Sequence, residues 1–319
     1  MKLTQKMLAV VSIAFMSAAV TAQEEEEQSG SNIQTFTPSK LLKKGQWDIK
    51  FFNSIYTQTE QTDAGSEKVD ITRQTFFTNT TEIFTGISNT SRINVGFIFQ
   101  VRSNALNGQS PLDVFSFEDN RNDRRSGLST IAPSIRVQPF KNIGNFSFTS
   151  SFFIPVFEDK ADAAADDGVD SFLDQRSFAW DTKFFYDRTF GANKWQLFTE
   201  IDFKFNFGDN RENVANDKNS SERFAGDSLF LPISAFLSYF PSSKSTVFIN
   251  AQQAFLIGID NPQSAGGENF SQNGTQLGFG AKYQVTRVVN LEASYGKFVR
   301  GESFQGLGQT FSLGLRALF

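Results

Sequence analysis

The side chains able to do chemistry in this chain recur at intervals of two. Asp48 and Lys50, Glu82, Arg92, Arg102, Arg136, Asp181 and Lys183, Glu200, Asp202 and Lys204, Lys282, Glu292 and Arg300, and Arg316 each fall on the polar parity of an alternating segment. Cations and carboxylates mixed on one such face have two uses. They set a field across an aqueous passage, as charged rings do in selective pores, or they pair as salt bridges that fill a narrow space. Acid/base and metal chemistry are poorly served, because histidine and cysteine are both absent and these are leading proton-transfer and metal-ligating residues. Paired carboxylates of glycosidase type need a separation that the spacing here does not supply. Gly278, Gly280, Gly306, Gly308 and Gly314 fall in or beside strands and turns, not in a phosphate loop leading to a helix. The acidic stretch Glu158 to Arg176 could attract Ca²⁺, but its spacing does not fit the 12-residue helical calcium loop. It is expected to be a solvated loop, and no metal, catalytic or cofactor residue is assigned.

The elements that carry these residues are strands. From Trp195 to Gly208 the odd positions are Trp, Leu, Thr, Ile, Phe, Phe and Phe, while Gln196, Glu200, Asp202, Lys204 and Asn206 hold even ones. That period of two spans roughly 45 Å at about 3.3 Å per residue, enough to cross a bilayer. About twelve such segments are predicted: Gln46 to Thr57, Thr72 to Ile87, Arg92 to Arg102, Leu128 to Gln138, Phe146 to Phe157, Phe178 to Asp187, Trp195 to Gly208, Leu229 to Phe240, Thr246 to Ile257, Thr275 to Val285, Leu291 to Arg300, and Thr310 to Phe319. The connections alternate. Short turns at Ser88 to Ser91, Phe140 to Asn145, Phe190 to Lys194, Pro241 to Lys244 and Thr286 to Asn290 interleave with longer loops at Gln58 to Ile71, Ser103 to Gly127, Glu158 to Ser177, Asp209 to Ser228 and Gly258 to Gly274. Short periplasmic turns and longer outer loops are the rhythm of an up-and-down membrane barrel, whose even strand count returns both termini to the periplasm.

The pattern therefore predicts an all-β, transmembrane, antiparallel β-barrel of about twelve strands over residues 46–319. Residues 1–22 read as a secretory signal, with Lys2 and Lys6 before an apolar run and a small-residue ending. Residues 23–45 read as an acidic and polar periplasmic segment. Without Lys2 and Lys6 the 30 basic residues become 28 against 34 acidic ones, about −6, so no nucleic-acid partner is indicated. After the signal, no run of some 18 to 20 apolar residues offers a spanning helix, so strands must close on themselves to satisfy their backbones in lipid.

Several finer expectations follow. Trp47, Tyr186, Trp195, Tyr239, Tyr283 and Phe319 share the lipid-facing parity at one end of their strands, where ringed side chains favour the headgroup level. Phe52, Phe76, Phe153, Phe185, Phe198, Phe236 and Phe298 share the inward parity, which implies aromatic packing in the lumen or an apolar path through it. Pro133, Pro139, Pro155 and Pro232 lie in or near strands and predict bulges or breaks. The polar 117–125 segment could fold into the mouth as a constriction. A soluble β-protein would have to produce the long strands, the loop rhythm and the terminal Phe by coincidence.

The final segment, with Phe311, Leu313, Leu315, Ala317 and the terminal Phe319 alternating, resembles the C-terminal signal of the Gram-negative outer-membrane β-barrel superfamily. The resemblance implies outer-membrane location and insertion by the barrel-assembly machinery, with outer-membrane lipid and possible envelope proteins as partners. Barrel enzymes of the phospholipase and lipid A deacylase kind rely on a histidine that this chain lacks, so an enzyme is not expected. The leading functional expectation is a porin-like channel for passive transport of small solutes. A non-conducting accessory or scaffold barrel and an uptake channel for hydrophobic compounds are the alternatives.

Overall fold

The computed structural model describes residues 39–119, 123–158, 171–208, 226–259 and 271–319. The expected signal segment and most of the acidic 23–45 and 158–176 stretches lie outside these residues. Twelve strands run β1 (Trp47–Thr62), β2 (Lys68–Gly86), β3 (Ile93–Ala105), β4 (Arg124–Val137), β5 (Phe146–Pro155), β6 (Ala179–Phe190), β7 (Trp195–Asn206), β8 (Ser228–Ser242), β9 (Ser245–Gly258), β10 (Ser271–Gln284), β11 (Val289–Glu302) and β12 (Gln309–Leu318). Each pairs antiparallel with its sequence neighbours, and β12 returns to β1 to close the barrel. Closure leaves no unpaired edge, which is what lets strands stand in lipid.

Alternation decides which side chain goes where. The closing seam pairs Lys50 with Arg316 and, one residue on, Phe51 with Leu315. The first pair faces the lumen and the second faces outward. Outward residues such as Phe97, Ile249, Phe279 and Leu313 are more than half exposed. Many large apolar side chains on a protein exterior mark an apolar partner, here acyl chains.

The β1–β2 connection corrects the expected long loop at Gln58 to Ile71. The two strands continue to Thr62 and from Lys68, leaving a turn over 63–67. Apolar alternation stops there, but the ladder continues through polar pairs such as Gln58 with Gln74 and Thr62 with Lys68. Hydrophobic period reports the membrane-embedded part of a hairpin and misses the part above it.

The prolines do interrupt pairing. Between β4 and β5 the register passes from Ile131 with Ile154 to Ser134 with Ser151, leaving the Pro133 step unpaired. Between β7 and β8 it jumps from Ile201 with Ile233 to Lys204 with Phe230, across Pro232. Each proline directs its missing N–H to one neighbour and still pairs on the other side, with Phe97 and Ala254 respectively. Pro155 ends β5, and Pro139 lies in a turn.

Candidate functional site: the lumen

The inward face of β1, β2, β4 and β12 builds a buried ion network. Asp48, 2% exposed, accepts from Arg316 Nε and Nη2 at 2.7 and 2.9 Å and from Arg136 Nη1 at 3.2 Å. Arg136 also bonds Glu82, and its guanidinium lies 3.5 Å over the Phe84 ring. Lys50 Nζ reaches the same Glu82 carboxylate at 3.3 Å. Lys282 and Glu292 form a separate 2.9 Å pair across β10 and β11. On β6 and β7, Lys183 sits 2.9 Å from Asp202 and 3.6 Å from Asp181. Glu200 shares the inward row, opposite Phe185 and Ser234. Lys204 Nζ stands 5.2 Å over the Phe153 ring. Charges buried inside a barrel must be paired or pay a heavy desolvation cost, and these inward charges are largely arranged as pairs.

Two of the expected lumen residues are elsewhere. Arg92 precedes β3 and donates Nε to Gln138 O at 3.0 Å and Nη2 to Pro139 O, tying two short connections together at the rim. Arg300 is turned outward. Val299 is an extra residue in β11, so Phe298 pairs with Gln276 but Arg300 pairs with Thr275 on the outward parity. A one-residue bulge reverses every later side chain. The same device on β4, where Ser129 is the extra residue, brings Arg125 inward opposite Asn104.

Both mouths are narrowed from within. At the short-turn end Leu41 and Leu42 are buried, and Asn94 clamps the Leu42 peptide, accepting from its N–H at 3.1 Å and donating to its carbonyl at 3.2 Å. Ser39, Leu41 and Leu42 are thus buried at the opening, while Lys43, Lys44 and Gly45 are exposed. Leu42 joins Phe84, Ile98, Ala132, Phe153, Ala179 and Leu318 in an inward apolar cluster that fills the β2–β6 side. At the opposite end Asn104 donates to the carbonyls of Phe172 and Leu173 at 2.7 and 2.8 Å, and Arg125 to those of Ser171 and Glu158. Arg102 stands 2.9 Å from Asp174, close but not aligned as a hydrogen bond. The inward constriction is therefore the 171–176 segment.

The start of the 117–125 segment packs outside the barrel. A 3-10 helix, Pro111–Phe115, and Phe117 pack on the outer wall, where Val114 is fully buried with Ile55, Phe77 and Ala105. Phe77 contacts the rings of Phe115 and Phe117 at 5.7 and 5.8 Å. Among the described residues of the segment, Arg125, carried by β4, reaches inside.

The other side of the lumen is open. A cavity of about 370 Å³ is lined by Phe198, Phe236, Phe240 and Phe248 on one wall and by Lys50, Glu82, Lys282, Glu292 and Arg316 on the other. Its rings continue an inward arc that starts beyond it at Phe185: Phe185 to Phe198 at 5.9 Å, Phe198 to Phe236 at 5.6 Å, and Phe236 to Phe248 at 6.0 Å. Inward glycines leave room for rings to lie along the wall. A Cβ on Gly280 would come 2.4 Å from Phe248 Cζ, and one on Gly314 2.6 Å from Phe52 Cδ2. Each ring occupies the place its neighbour's side chain would need, a known device for packing aromatics in sheets. Sequence reading noticed both the phenylalanines and the glycines, but not that each ring needs a particular glycine across the ladder.

Among the expected girdle residues, Trp47 exchanges backbone hydrogen bonds with Phe319, and Trp195 pairs with Tyr239 at 4.8 Å between rings. Tyr283 is exposed next to the end of β10. Tyr186 lies four residues inside the end of β6, where Phe190 holds the terminal place opposite Trp195.

No family model and no curated protein matches the chain. Among solved structures, an outer membrane channel from Pseudomonas putida F1 is similar at 13% identity, over 93% of this chain and 100% of that one, with a TM-score of 0.63. The β domain of the Bordetella autotransporter Brka is similar at 12% identity, over 85% of this chain and 99% of that one, with a TM-score of 0.50. Closed antiparallel strands, an apolar exterior and a charged interior give this chain the fold of an outer-membrane β-barrel.

Proposed function

We propose that the protein is a narrow outer-membrane channel that lets small solutes cross passively through its lumen. One observation carries this reading: the lumen is filled on the β2–β6 side and open on the other, where the 370 Å³ cavity lies between an aromatic wall and a charged wall. A barrel built only as a pillar gains stability from filling inward positions. Here Gly280 and Gly314, at inward positions on β10 and β12, let the Phe248 and Phe52 rings lie along the wall instead of projecting across the lumen. Twelve strands also fall between the side-chain-filled 8-stranded barrels and the open 16-stranded porins. Transport rather than catalysis fits an interior without histidine or cysteine, in a chain that lacks both. Biogenesis by the barrel-assembly machinery, guided by the strand ending in Phe319, belongs to the same proposal.

Purified protein in planar bilayers and in liposomes tests it. Small conductance steps and permeation of small solutes, with a sharp size limit set by the narrowed mouths, are expected. No conductance and no flux across a range of salt concentrations would refute the channel and leave a scaffold.

A further inference from the structure

We propose that the lumen cavity is a binding site for small aromatic molecules carrying a single carboxylate; its role in transport rests on the channel reading, whereas its geometry does not. The ring of such a ligand has a partner surface. Phe198, Phe236 and Phe248 line the cavity and are mutually tilted, so they present both faces and edges, the arrangement in which aromatic contacts are most favourable.

The carboxylate has partners beside that surface. Lys282 Nζ lies 5.5 Å from the Phe248 ring centre, which places a cation at the end of the aromatic arc. Thr246 pairs directly with Lys282 across the ladder, and Asn290 with Arg316. Thr246 is 2% and Asn290 8% exposed, both line the cavity, and Thr246 Oγ1 and Asn290 Oδ1 have no hydrogen-bond partner among the described residues. Buried polar atoms are nearly always satisfied, and leaving one unmade costs about 1–3 kcal/mol. A hydroxyl and a carboxamide together suit a small polar head, since the hydroxyl donates and an amide turned about its last torsion offers N–H.

Charge selects the head. Three cations, Lys50, Lys282 and Arg316, face two carboxylates, Glu82 and Glu292, in the cavity wall. That excess of one positive charge belongs to the lining: behind it Asp48 and Arg136 cancel, while Asp187 lies beyond Gln196 and Glu200 further along β7. One negative charge balances it. Size selects the rest, because pockets of this volume suit a single small ligand.

The test uses the full chain in detergent and three probes, with binding followed by titration calorimetry: benzoate, cyclohexanecarboxylate (same charge, no flat ring) and benzyl alcohol (same ring, no charge). Saturable 1:1 benzoate binding, at least tenfold tighter than either relative, is expected. The double variant Thr246→Val with Asn290→Leu removes the two unpartnered polar groups without altering charge, and should weaken benzoate about tenfold while keeping the folded gel mobility. Absent benzoate saturation, equal affinity for any relative, or a folded variant that binds as before would overturn the proposal. Should the variant fail to fold, the three-probe comparison on the native chain decides alone. Liposome flux measured in parallel separates the two readings: flux without benzoate binding removes this site and leaves the channel, while binding without flux does the reverse.

Discussion

Replacing Asp48 with Asn examines whether the lumen's ion network is structural. The carboxylate is almost wholly buried and accepts three charge-assisted hydrogen bonds, two from Arg316 and one from Arg136. Asn keeps the volume but offers one acceptor and turns an N–H₂ toward guanidinium. Breaking a buried ion pair by removing one partner costs about 3–5 kcal/mol, because the other charge remains. Two features favour the low end. Arg136 keeps Glu82 and its place over Phe84, and the Arg316 side chain is 21% exposed, so water reaches part of it. The expected loss is about 3 kcal/mol, roughly a hundredfold in the folding equilibrium. Equilibrium urea titrations of folding into vesicles, read by the mobility of unheated samples on gels, measure it. The pair should also be non-additive: Arg316→Gln introduced together with Asp48→Asn should cost about 2 kcal/mol less than the same change in the native chain. A loss for Asp48→Asn below about 1 kcal/mol, or simple additivity, would show that these charges are solvated by lumen water and that the network does not hold the wall together.

Two further perturbations test the shape of the passage. Gly314→Val should push the Phe52 ring off the wall and into the lumen, costing about 1–3 kcal/mol of stability and reducing single-channel conductance; adding Phe52→Ala should restore conductance, and a Gly314→Val channel of native conductance would contradict the ring-on-glycine packing. Asn94→Ala removes the clamp on Leu42, so it should raise conductance and, by freeing the backbone, speed trypsin cleavage after the already exposed Lys43 and Lys44, with unchanged cleavage showing that the segment is held by other means.

The lumen-facing charges were legible as a set because a strand admits only two directions for a side chain. Asp48, Lys50, Glu82, Arg136 and Arg316 fall on one parity of their segments and meet in one network. Arg300 and Arg125 broke the rule through single extra residues, Val299 and Ser129, which carry no distinctive sequence mark. The constriction was also assigned to a different loop. Both the 117–125 and 171–176 segments are polar enough to enter the mouth, and the difference lies in distant partners: Phe77 and Ala105 receive Val114 outside, while Asn104 and Arg125 hold the backbone of 171–173 inside.

The order of strands, the closing of the barrel and the face presented by residues away from the bulges were therefore written in the chain itself, since period-two alternation and loop rhythm are local properties that lipid enforces residue by residue. Which charges pair, where the lumen is filled and where it stays open belonged to the tertiary structure. Those outcomes depend on shear, bulges and contacts between residues hundreds of positions apart, such as Asp48 with Arg316, and no local pattern records them.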